Sequence, residues 1–142
     1  MVSGMDIEEI IENFEFLDDW DDRYKYLIEI GNALEAFPED AQSNANKVQG
    51  CVSQVWVTSE FSDEEDPVLH IRGTSDAFIV RGLVAIALAI FSNKSASEIL
   101  RTNEREVFDR INLSEHITPQ RSNGLNSLVQ RIKQDAQNAL AK

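Results

Sequence analysis

The stretch Ala77–Ser92 constrains this chain more than any other. From Leu83 to Phe91 every residue is apolar, yet the run is only half of the about 18 residues that a bilayer span requires. With Arg81 and Gly82 just before it, the segment predicts a core helix. Such a helix has no polar face to offer water, so it should be central, with the other elements packed around it.

Those elements can be read from periodicity. Ile7, Ile10, Ile11, Phe14 and Leu17 recur at helical spacing, with Glu8, Glu9, Glu12 and Glu15 between them, which predicts an amphipathic helix with one acidic face. The Asp18-Asp19-Trp20-Asp21-Asp22 cluster suits an N-cap, and a second helix should run from there through Tyr24, Leu27, Ile28 and Leu34 to a stop at Phe37-Pro38. Ala41 to Lys47 reads as a loop. Ser53–Phe61 and Val68–Arg72 read as an antiparallel hairpin closed by an acidic turn, and Lys47–Gln49 can add a short third strand. Gly73-Thr74-Ser75-Asp76 reads as a turn, with Asp76 capping the Ala77 helix. Ser95 and Ser97 should open a short helix, Glu104–Ile111 another, and Thr118-Pro119 a last one whose face carries Leu125, Leu128, Val129, Ile132 and Ala136. No repeat, low-complexity stretch or interdomain linker interrupts this order. The expectation is one α+β domain over residues 1–142, with a small antiparallel sheet of about three strands covered by helices.

Charge and cysteine usage narrow the function. The net charge is −12, and residues 1–40 hold 13 acids against only Arg23 and Lys25. That acidity would repel nucleic acid and anionic membrane. It serves equally as a solvated helical face or as a surface that speeds encounter with a basic protein. A lone cysteine cannot close an intramolecular disulfide, and the N-terminus does not read as a secretory leader, so the cytoplasm is the expected compartment.

That cysteine, Cys51, follows Gly50 and precedes an alternating strand. Glycine admits positive φ and leaves one flank of the sulfur uncrowded. A free cysteine is otherwise a small buried hydrophobe, so its surroundings must decide. One Cys and two separated His (His70, His116) cannot supply the about four ligands of a zinc or iron–sulfur site. The lack of a CxxC pair removes a thioredoxin mechanism, and Gly73-Thr74-Ser75-Asp76 lacks the glycines of a phosphate loop. No bound cofactor is therefore expected. Single-thiol chemistry remains, as a nucleophile or a carrier. A thiol with a pKa of about 8.5 is mostly protonated at neutral pH and needs a nearby cation. Lys47 is the local candidate, or else a solvated loop lysine. A carrier that takes sulfur from an activated donor needs less help of its own.

The run Lys47-Val48-Gln49-Gly50-Cys51-Val52-Ser53-Gln54-Val55-Trp56 closely resembles the active-cysteine segment of the SufE family of sulfur acceptors, which includes the CsdE proteins. The resemblance extends to Trp20–Gly31, to Ser75-Asp76-Ala77 through Arg81-Gly82-Leu83, and to Leu113–Leu125. It implies that Cys51 takes sulfur as a persulfide from a PLP-dependent cysteine desulfurase of the SufS or CsdA type and stimulates that enzyme. Delivery would be to a SufB-type iron–sulfur assembly scaffold, with a homodimer as a further option. The protein would bind neither PLP nor a cluster. The resemblance also implies a fold similar to IscU-type scaffolds and a resting cysteine tucked into an apolar cavity, on a loop hinged at Gly50 that swings out when the desulfurase docks. Arg121, in the Thr-Pro-x-Arg segment, would either favour the thiolate or serve helix-start packing or a carboxylate. Gln54 and Trp56 would hold the strand.

Two other functions fit the residues. Cys51 with His70 or His116 would make a small hydrolase or thiol peroxidase, which needs an imidazole within hydrogen-bond reach of the sulfur. The acidic helices alone would make a noncovalent interaction module, indifferent to loss of the thiol.

Overall fold

The computed structural model describes residues 6–50, 53–113 and 117–141. In chain order they form α1 (Ile7–Phe16), α2 (Trp20–Asn32), β1 (Val55–Phe61), β2 (Val68–Ser75), α3 (Phe78–Phe91), β3 (Lys94–Ser95), α4 (Ala96–Arg101), α5 (Glu104–Arg110) and α6 (Pro119–Leu140). Single 3₁₀ turns lie at Glu39–Ala41 and Asn44–Asn46.

Helix α3 is buried along nearly its whole length, from Gly82 to Phe91 except Ala89. It packs against α2, the sheet, α6 and α1. The contact with α2 is unusually close because glycines face each other. A methyl group on Gly31 would sit 2.7 Å from the backbone nitrogen of Gly82, and one on Gly82 would overlap the Leu27 carbonyl oxygen. The absence of two side chains thus sets the spacing of the central helix pair.

The helix starts follow ordinary capping chemistry. Asp6 and Asp19 cap α1 and α2 by accepting from the backbone N–H groups of Glu8 and Asp21, at 3.2 and 3.0 Å. Ser95 caps α4, and Thr118 followed by Pro119 opens α6. Phe14 packs edge-on against Tyr26 at 5.4 Å between ring centroids, locking α1 onto α2. The tyrosine hydroxyl accepts from Asn13 Nδ2 at 2.8 Å. Burial outweighs that bond and pushes the Tyr26 hydroxyl above its ordinary pKa.

The sheet is antiparallel in the order β1-β2-β3, with Val55 opposite Ser75 and Phe61 opposite Leu69. Its third strand is not the expected one. Lys47 makes a single bridge to Trp56, because Gly50 turns the chain with φ +91° before pairing can extend. The third strand is Lys94–Ser95, paired with Leu69 and Val68. Asn93, at φ 64°, reverses the chain after α3 and donates its N–H to the Leu69 carbonyl at 2.7 Å. Gly73, Thr74 and Ser75, read from sequence as a turn, instead complete β2.

Gly82→Ala should cost about 2–3 kcal/mol, since the new methyl meets backbone that cannot rotate away. Thermal denaturation should show a melting temperature lower by roughly 5–10 °C. An unchanged transition would mean that the two helices separate without penalty.

Candidate functional site

Cys51 and Val52 lie outside the described residues, as do Ser114, Glu115 and His116, so the site is built from what flanks them. On the N-terminal side, the Val48 N–H donates to the Val55 carbonyl at 2.8 Å. Gly50 then lies against α6: a methyl group there would come within 2.6 Å of Ser127 Oγ. The positive φ of +91° favours glycine at position 50, whereas the Ser127 hydroxyl could rotate away from a methyl group.

On the C-terminal side, Gln54 is held at several points. Its backbone N–H and side-chain amide donate to the two carboxylate oxygens of Asp76, at 3.1 and 3.4 Å. Its carbonyl accepts from Ser75 Oγ at 2.7 Å and from the Asp76 N–H at 3.3 Å. Ser75 Oγ also accepts from the Ala77 N–H at 3.2 Å, and Arg81 Nε donates to the Ser75 carbonyl at 3.1 Å. This corrects the role expected of Asp76. The N-cap of α3 is Ala77 and has no side-chain cap bond; the Asp76 carboxylate reaches back to the start of β1 instead.

A cavity of about 40 Å³ opens beside Ser53. Val80, Leu83 and Val84 of α3 and Leu125 and Leu128 of α6 make it apolar, Val55 closes the strand side, and Gln120, Arg121 and Gly124 border it. It exceeds the about 10–15 Å³ that one water-sized group occupies, so it can shelter a group of a few atoms. A neutral or polarizable sulfur suits such walls, and Arg121 is the cationic residue among those that line the cavity. The Arg121 backbone N–H donates to the Thr118 cap at 3.2 Å, a bond that does not depend on its side chain. Lys47 is half-buried on its bridge to Trp56 and is not among the residues lining the cavity. Among the described residues no cluster of His, Cys, Asp or Glu could hold a metal ion.

Sequence reasoning missed Ser53, Gln120, Gly124 and Ser127. A signal for the α6 residues was present: Arg121, Gly124, Leu125 and Leu128 are spaced by three and four, so they share one face of the helix.

A family model described as SufE, an Fe-S metabolism associated domain, matches residues 8–136. The chain belongs to the SufE family. Membership associates it with iron–sulfur metabolism. An uncharacterized SufE-like protein of Rhizobium meliloti (strain 1021) is 54% identical over 135 residues, covering 94% of this chain and 96% of the relative. A second, from Rhizobium etli, is 52% identical over 131 residues, covering 92% and 88%. The solution structure of a hypothetical protein from Thermus thermophilus superposes with a TM-score of 0.76 over 99% of this chain and all of that one, at 17% identity. The expected α+β architecture is therefore a fold seen elsewhere. No helix among the described residues is long and apolar enough to cross a membrane.

In this SufE-family chain His70 lies away from the cavity. It faces Glu60 across the hairpin, five residues along β1 from Val55, or about 17 Å of extended strand. Both ring nitrogens are engaged, Nδ1 with Asn93 Oδ1 and Nε2 with Glu35 Oε1, each at 2.9 Å. The Asn93 bond, reinforced by Glu35 and opposed by partial burial, raises its pKa above the ordinary value. A raised folded pKa stabilises the fold fully below the unfolded value of about 6.5, and the gain is lost as pH rises through the folded value. His70→Gln should therefore lower the melting temperature more at about pH 5.5 than at about pH 8.5. An equal loss at both pH values would show that charge on His70 contributes nothing.

Proposed function

We propose that this SufE-family protein is a sulfur acceptor and relay. Cys51 receives sulfur from the persulfide of a PLP-dependent cysteine desulfurase and passes it to an iron–sulfur assembly scaffold. The observation that carries this reading is the apolar cavity lined by Ser53 and Arg121, with Gly50, on the other flank of Cys51, against α6. Cys51 follows Gly50 directly and stands two residues before Ser53.

The chemistry asks little of the carrier. The Cys51 thiol gives up its proton, and the thiolate attacks the terminal sulfur of the donor persulfide. A new S–S bond forms on Cys51, the donor's S–S bond breaks, and the electron pair leaves on the donor cysteine, which takes a proton. Oxidation level is conserved: one persulfide is consumed and one is made. Delivery repeats the exchange with the acceptor's thiol as nucleophile. The cavity serves this cycle by shielding a thiol or persulfide from oxidants between partners, and Arg121 favours the anion that must attack. A Cys51–His70 enzyme is less well supported, because both nitrogens of His70 already have partners, Asn93 and Glu35, at the far end of the hairpin; His116 lies outside the described residues.

Incubation with a cysteine desulfurase and cysteine should add about 32 Da to the intact mass. Cys51→Ser should abolish the gain while leaving the melting temperature unchanged. No gain while the desulfurase turns over would sink the proposal.

Arg121→Gln should slow alkylation of the thiol by iodoacetamide about tenfold near neutral pH, the effect of one unit in thiol pKa. The deficit should shrink as pH rises and the thiol ionises unaided. A loss that is the same at all pH values would assign Arg121 to packing instead.

A further inference from the structure

The first half of α3 lines the sulfur cavity, and its second half lines a larger and separate opening. A groove of about 750 Å³ runs between α1, the end of α2, β2 and α3. Ile10, Ile30, Ile71 and Leu88 make its floor, each no more than 8% exposed. Its border is polar and largely acidic, with Asp6, Glu9 and Glu35 beside His70. Glu35 shares its charge with His70 and Arg72, at 2.9 and 3.7 Å. Asp6 and Glu9 have no ion-pair partner among the described residues. Along β2 the groove at Ile71 lies four residues from Ser75, about 13 Å of strand. Both openings can therefore be occupied at once.

We infer that this groove docks a basic amphipathic segment of a partner protein, with apolar side chains on the floor and Lys or Arg side chains against Asp6 and Glu9. Charge complementarity selects this occupant. These carboxylates, without an ion-pair partner among the described residues, border an apolar floor, and they belong to the part of the chain, residues 1–40, that holds 13 acids against two bases. The field of that region raises the encounter rate of a basic segment, while the floor supplies area that salt does not screen. A nucleic acid would be repelled by the same charge. The inference stands whether or not Cys51 carries sulfur. Where it does, the groove lets one partner stay tethered while another exchanges sulfur at the cavity.

The test is a titration of the ¹⁵N-labelled full chain with an amphipathic helical peptide of leucine and lysine, of about 18 residues, or five turns. Saturable amide shifts should cluster at Ile10, Leu34, Ile71 and Leu88. Glu9→Lys and Ala89→Arg should each weaken binding about tenfold, whereas Glu12→Lys, an equal change of charge on α1 outside the groove, should weaken it no more than about twofold. Ala33→Arg, at an exposed position of the border, gives the same reading should Ala89→Arg melt early. Equal losses at Glu9 and Glu12, equal binding by a serine-and-lysine peptide, or shifts centred on Ser53 and Arg121 would each overturn the inference.

Discussion

The near-contact of two helix backbones at Gly31 and Gly82 governs the rest of the molecule. With α2 seated this close, α3 can be enclosed on that flank by backbone and on its others by the sheet, α6 and α1. The wholly apolar run from Leu83 to Phe91 is tolerable only under that enclosure. The arrangement also fixes where space is left over. Helix α6 approaches the first half of α3 and leaves the small cavity; α1 and the end of α2 flank the second half and leave the groove. Both openings are therefore consequences of how one helix is wrapped.

The entry to β1 is heavily bonded beside the cavity. Gln54 is tied through backbone and side chain to Ser75 and Asp76, and Arg81 ties Ser75 to the first turn of α3. Ser75 is 2% exposed and its hydroxyl both donates and accepts, so the polar group is buried with its hydrogen bonds made. This cluster fixes the strand side of the cavity relative to its α3 wall. The Gly50 side depends on something different, a positive φ that glycine adopts most readily. One flank of Cys51 is thus held mainly by side-chain hydrogen bonds and the other by backbone conformation and the Val48 to Val55 bond.

Much of this was legible in the sequence where a local rule and the global fold agree. The amphipathic spacing in α1, the caps at Asp19, Ser95 and Thr118, and the apolar run of α3 each depend on neighbours within a few residues. What could not be read depends on contacts distant in sequence. Nothing near Lys94 announces a strand; it pairs because Asn93 reverses the chain beside Leu69. Asp76 looks like a cap from its position before a helix, but Gln54, 22 residues earlier, offers two donors to its carboxylate. Around the cavity, α6 spacing placed Arg121 and Leu128 on one face, yet only the packing of α6 against α3 and Ser53 gave that face an interior to line.

The charge distribution acquires a different meaning once the two openings are placed. Most of the excess acid is confined to residues 1–40, the part of the chain that forms α1 and α2. The cavity takes its walls from the sheet, α3 and α6, and the charged residue at its border is Arg121. An anionic sulfur placed there would have a cation beside it, and the acids of α1 belong to the border of the other opening. Unlike and like charges are thus kept apart along α3. The sequence concentrates negative charge at the groove and keeps it out of the lining of the small cavity.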